Sequence, residues 1–215
     1  MTPAITVRGA ERGFTLVELL VGTVVSVIVV GGAVALSSQV QGGYRRQLEA
    51  AAAEQEGRYA LDWIGKYVRG AGNNPFNRAV TQCPGAATPY AAIDFDPASD
   101  DTIRLMTDVN PADGLIGGAL NVCTQANEDV TISYNSANRA ITFLDNNVGA
   151  ATIRTDAVIQ DLQFIYRDGT RAITTIDADV LYVETRITVR TRTVDASSGL
   201  PATRTLSSEV RVRSR

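Results

Sequence analysis

Residues 14–36, FTLVELLVGTVVSVIVVGGAVAL, hold a single charged side chain, Glu18. At about 23 residues the segment makes a helix of roughly 35 Å, enough to cross the hydrocarbon core of a bilayer. Arg8, Glu11 and Arg12 precede it with a net positive charge, which favours keeping the amino terminus in the cytoplasm. A secretory signal has a shorter apolar core followed by a small-x-small cleavage site. Here the run is longer and passes into a helical pattern without a turn, and the polar boundary lies before it, at Arg12-Gly13. The segment reads as a retained membrane helix.

Glu18 is the residue that does not fit. A carboxylate inside a membrane helix costs about 2.5–3.5 kcal/mol on insertion scales, so it calls for a partner or a task. Near a helix end the cost is smaller, because headgroups are close and the amino-terminal dipole favours negative charge. Both accounts remain open from the helix alone.

Over residues 12–21, RGFTLVELLV, the chain resembles the leader and processing motif of type IV prepilins and type II secretion pseudopilins. The elements are the basic residue, Gly13, Phe14, a Thr-Leu pair, Glu18 and the apolar run. The resemblance implies cleavage by a prepilin peptidase between Gly13 and Phe14, followed by N-methylation of Phe14. It also implies that Glu18 meets the Phe14 ammonium of a neighbouring subunit. Two opposite charges in a low-dielectric bundle attract strongly and relieve each other's desolvation. Major pilins carry a bending proline in the second half of this helix; this segment has none. Gly31-Gly32 and Gly42-Gly43 are the weak points instead, since glycine costs about 1 kcal/mol relative to alanine in a helix.

After Leu36 the chain turns polar but keeps helical spacing to about residue 72. Gly57, Ala60, Leu61, Ile64, Tyr67, Val68 and Ala71 share one face with Trp63 at its edge, and Glu54, Arg58, Asp62 and Arg69 lie opposite. Gly70, Gly72, Asn73, Asn74 and Pro75 form a stop. One nearly continuous helix of about 55 residues is expected, its apolar stripe packed on a sheet.

Residues 73–101 read as irregular structure. Strands are expected at 102–107, 130–134, 140–144, 162–167 and 172–176, and then in two long alternating segments near the carboxyl terminus. In the first of these Leu181, Val183, Ile187 and Val189 face one way and Glu184, Arg186 and Arg190 the other; in the second Leu206, Val210 and Val212 alternate with Glu209, Arg211 and Arg213. The expected fold is α+β, a long amino-terminal transmembrane and amphipathic helix packed on an antiparallel β-sheet head, type IV pilin-like. The expected divisions are a leader at 1–13, a membrane and assembly helix at 14–36, its amphipathic continuation at 37–72 and a β-rich head at 73–215.

QEGRYALDWIGKYVRGAG (55–72), DLQFIYRDG (161–169) and the closing TRITVRTR and EVRVR strands are similar to PilW-type minor pilins and J-class pseudopilins. The resemblance touches both ends of the chain and leaves roughly 73–160 outside it. It implies a minor pilin of a type IV pilus, with a J-class pseudopilin at a type II secretion tip as the alternative and a DNA-uptake pilin as the second alternative. Expected partners are the prepilin peptidase, other pilins or pseudopilins through the amino-terminal helix, and an inner-membrane assembly platform. The precursor is expected as a single-pass inner-membrane protein with a periplasmic head, and the assembled subunit in a pilus or at the cell surface.

Other chemistry finds little support. There is no histidine, which removes the usual general base and the commonest metal ligand. No GxSxG, P-loop or HExxH motif occurs, so the chain is expected not to be an enzyme and to need no cofactor. Asp94, Asp96, Asp100 and Asp101 cluster but lack the glycine and closing glutamate of an EF-hand loop, and no metal is expected. Arginines 186, 190, 192, 211 and 213 could form a basic stripe. Glu184 and Glu209 interrupt it and the net charge is -3, so nucleic acid is not an expected partner. Cys83 and Cys123 belong to no CxxC pair. In an oxidising compartment they are expected to form one disulfide, closing a loop of about 40 residues worth roughly 3–4 kcal/mol.

Overall fold

The computed structural model describes residues 13–73, 92–109, 116, 125–194 and 198–212. The helix α1 runs without interruption from Leu16 to Gly70, 55 residues in all. The glycine pairs at 31–32 and 42–43 stay inside it, and a Cβ at any of these four positions would meet nothing within 4 Å. The chain divides into two compact units, Met1–Arg46 and Gln47–Arg215.

In the first unit the helix is apolar and exposed. Thr23 Oγ1 donates to Leu20 O and Ser26 Oγ to Gly22 O, both at 2.8 Å. The hydroxyls in this stretch are therefore satisfied by their own backbone, as an apolar surrounding requires.

In the second unit the remainder of α1 lies against two antiparallel meanders. The first sheet has the order β1 (Ile93–Asp94), β2 (Thr102–Met106), β3 (Asp129–Asn135), β4 (Ala140–Asp145) and β5 (Ala151–Ile153). The second has β6 (Ile159–Arg167), β7 (Tyr182–Val194) and β8 (Pro201–Arg211). The sequence pattern points to one sheet, and there are two, because alternation fixes which residues face the core and not which strand pairs with which. After β5 the chain leaves the first sheet, and β6 takes β7 as its partner. The two sheets are linked by Phe164 N–H donating to Asp100 O at 2.7 Å and Ile159 N–H to Arg139 O at 3.0 Å.

The helical stripe enters the core much as its spacing predicts: Ala53, Gly57, Ala60, Ile64, Gly65 and Val68 are buried. Of these, Ala53, Ala60, Ile64 and Val68 share a single cluster with Ile103, Leu105, Ile132, Ile141, Leu162, Val183 and Ile187. Trp63, Tyr67 and Phe143 form an aromatic edge, with Tyr67 and Phe143 centroids 5.2 Å apart and Arg154 over the Phe143 ring. Tyr67 Oη donates to Asn127 Oδ1, and burial pushes the phenol's pKa up.

One expected strand is absent. Residues 172–176 make only an isolated bridge, Arg167 to Ile173, before a short 3-10 turn at Asp177–Asp179. Asp168 Oδ1 accepts from Thr170 N–H, Thr170 Oγ1 and Ala172 N–H, and Arg171 adopts φ 67°. This turn consumes the residues that would have started a ladder, and Ile173 and Ile176 end exposed.

Candidate functional site

The amino-terminal site is built from four residues, Gly13, Phe14, Thr15 and Glu18, at the start of the helix. Gly13 and Phe14 are non-helical and exposed, the Phe14 ring 86% so. Thr15 is the N-cap: its carbonyl accepts the first helical bond, from Leu19 N–H at 3.2 Å. Glu18 occupies the third helical position and closes a reciprocal pair with Thr15. The Glu18 N–H donates to Thr15 Oγ1 at 3.2 Å, while Glu18 Oε2 accepts from the Thr15 N–H and hydroxyl, each at 3.2 Å. This is a capping box, in which residues three apart satisfy each other's orphan donors. The hydroxyl accepts one bond, from the Glu18 N–H, and donates its only proton to the Glu18 side chain.

The sequence reading accounts for Glu18 by a partner chain or by the dipole. The Thr15-x-x-Glu18 spacing is the further signal, and it supplies a local reason for a carboxylate here. The helix that follows is long and apolar enough to cross a membrane.

Among the described residues the other candidates do not assemble into a chemical site. The four aspartates of the acidic loop serve local structure. Asp94 lies 3.6 Å from Arg104, and Asp96 accepts from the Ala98 N–H. Asp100 accepts from Gln163, and Asp101 from Ser99 and Thr102. Among the described residues no group of three or more acidic or cysteine side chains is placed to hold a metal.

Of the arginines weighed as a basic stripe, Arg186 joins a mixed-charge network on the second sheet, interrupted as expected by Glu184 and Glu209. Glu184 and Glu209 stand directly opposite each other on β7 and β8. Arg167 reaches Glu184 at 2.7 Å and Glu209 at 3.8 Å, Arg186 reaches Glu184 at 2.7 Å, and Arg171 reaches Glu209 at 3.4 Å. The hydrogen bond from Arg167, then that from Arg186, holds the Glu184 carboxyl below the usual range. Arg192 is likewise spent on Asp156, at 3.1 Å. Cys83, Cys123 and Arg213 lie outside the described residues.

Residues 8–34 match the family model described as the prokaryotic N-terminal methylation motif. The chain carries a prepilin-type leader motif. That motif supports a type IV pilin-type or pseudopilin-type subunit, and implies processing by a prepilin peptidase and assembly with other pilins. It spans the polar boundary, the Thr15–Glu18 box and nearly all of the apolar run, as far as residue 34. No curated protein and no solved structure matches the chain.

Proposed function

We propose that the chain is a minor pilin of the PilW type, a low-abundance subunit that primes or caps a type IV pilus. It is a structural part, acted on by enzymes rather than acting as one. Hydrolysis of the Gly13–Phe14 bond releases the leader as a carboxylate and leaves Phe14 as a free amine, which is then methylated. Glu18 pairs with the amine of a neighbouring subunit, and the apolar helix leaves the lipid for a helical bundle. The β-rich head faces the periplasm and makes the contacts that set its place in the filament.

One observation carries the proposal: residues 8–34 match the N-terminal methylation motif, and the bond expected to be cut, Gly13–Phe14, lies just ahead of the helix that starts at Leu16. A protease needs an accessible bond outside regular helix; Gly13 and Phe14 are exposed and non-helical directly ahead of the cap at Thr15. The apolar surface beyond is exposed on every side in the single chain, as expected of a segment that exchanges lipid for neighbours.

A deletion strain tests the assignment. Loss of surface pili and twitching supports it. Loss of secreted enzymes with pili intact transfers the chain to the J-class pseudopilins, which use the same helix physics in a different machine. Salt-sensitive DNA binding by the purified protein would instead favour the uptake receptor.

A further inference from the structure

Within the second unit, the helix touches the sheets in two different ways. From Gly57 to Val68 it buries Gly57, Ala60, Ile64, Gly65 and Val68; over residues 47–56 it buries Ala53 alone. Two cavities border Ala53. One, of about 150 Å³, is lined also by Ala52, Asp156, Val158 and Arg192; the other, of about 170 Å³, by Ala50, Val189, Arg190 and Ala202. The single methyl groups of these helical alanines leave the space unfilled. Three glutamates make the contact instead. Glu49 Oε2 accepts from the Thr193 N–H at 3.2 Å and its hydroxyl at 2.6 Å, Glu54 Oε2 from Arg204 at 2.5 Å, and Glu56 Oε1 from the Asp156 N–H at 3.0 Å. We propose that these bonds form one clasp, which opens to release residues 47–56 from the sheets while the core above them stays folded.

Little opposes such an opening. One methyl group is buried there, and hydrogen bonds at an accessible surface exchange for bonds to water at small net cost. Each side is held by something other than the clasp. The helix keeps its own ladder as far as Gly70. On the sheet side, the buried Thr155 accepts at its hydroxyl from the Ile141 N–H, and the Arg190 N–H donates to Val158 O, both at 2.8 Å. Opening therefore parts two ordered bodies, a local event and not global unfolding. The three glutamates ride on one stiff rod, so the loss of one bond loosens the other two. The released segment offers Ala50, Ala53 and the glutamates to a neighbouring subunit; that use rests on the function proposed above, and the opening itself does not.

Hydrogen exchange of the full, detergent-solubilised chain tests the clasp. It is read at the Thr193 and Asp156 amides, with the Phe164 amide, bonded to Asp100 O at 2.7 Å, as the core reference. Arg204→Met removes the Glu54 bond and touches neither of the other two. It is expected to speed exchange at Thr193 and Asp156 alike by about two- to fivefold, the scale of an exposed ion pair, with Phe164 unchanged. Arg204→Lys keeps the charge and should stay close to the wild-type rates. Ala50→Leu fills the cavity that neither Thr193 nor Asp156 lines, and is expected to slow exchange at both together. Wild-type rates at both amides in Arg204→Met overturn the proposal, because the bonds then break independently. Equal acceleration at Phe164 also overturns it, by making the opening global, as does an Ala50→Leu effect at one amide without the other.

Discussion

Gly57 of the helix faces Leu206 of β8 across a gap with room for a hydrogen and no more. A Cβ built on Gly57 would lie 2.8 Å from Leu206 Cδ1 and 2.8 Å from Val189 Cγ1. Two effects compete in Gly57→Ala. Helix propensity favours alanine by about 1 kcal/mol, and overpacking opposes it by about 1–3 kcal/mol. Leu206 has a flexible end, but Val189 is β-branched and stiff at χ1, so the clash is not relieved by one rotamer change. Overpacking is expected to win, with a net loss of about 1 kcal/mol in denaturant unfolding of the detergent-solubilised chain. Gly43→Ala, which meets nothing within 4 Å, serves as the control and should not destabilise.

That close approach shows what the residue pattern could convey and what it could not. The stripe from Gly57 to Ala71 placed the buried helix face, because a 3.6-residue period needs only one chain segment to be read. The alternation around Val183, Ile187 and Val189 placed the core face of β7 by the same logic, and all three are buried. What escaped depends on two distant segments at once. Pairing β6 with β7 and not β5 is one case; the two-residue β1 and three-residue β5 are others, too short to carry any period. At the amino terminus the sequence displayed both members of the Thr15–Glu18 box. Membrane cost and the helix dipole each account for a carboxylate near this end, and neither requires the Thr15 hydroxyl; only the spacing of three does.

Processing gives a direct check on the boundary. The mature protein should begin at Phe14, and its intact mass should show the loss of residues 1–13 with the gain of one methyl group. Gly13→Ala should leave the precursor uncut, because the added methyl group narrows the backbone freedom that glycine gives the scissile bond. A shifted gel band in the Gly13→Ala strain would move the cleavage elsewhere.

Cys83 and Cys123 are expected to be joined once the head is in an oxidising compartment. Peptide mapping without reduction should recover the two as one linked species, and reduction should lower the unfolding midpoint by an amount corresponding to roughly 3–4 kcal/mol for a loop of about 40 residues. Two free thiols after trapping with an alkylating reagent would remove that contribution.

The opposed Glu184 and Glu209 make the head sensitive to acid with a predictable sign. Arg167 and Arg186 hold the Glu184 carboxyl below its ordinary value; Thr170 does the same for Asp168, and Arg58 for Glu54. A carboxyl depressed in the folded state contributes stability that is complete above its unfolded pKa, about 4.3 for glutamate, and is lost as pH falls through the folded value. The Tm of the detergent-solubilised chain should therefore hold steady from neutral pH to about 5 and decline below about 4.5. Glu184→Gln should lower Tm at pH 7 and flatten the acid decline, since one of the groups that titrates between the two states has been removed. Arg167→Met should cost more at pH 7 than in strong acid, because the bond to Glu184 that it removes is charge-assisted only while that carboxyl is ionised. Adding Glu209→Gln to Arg167→Met should recover part of the neutral-pH loss, by relieving the repulsion that the missing arginine had screened; equal losses in single and double variants would show that Arg167 does not act by screening Glu184 from Glu209.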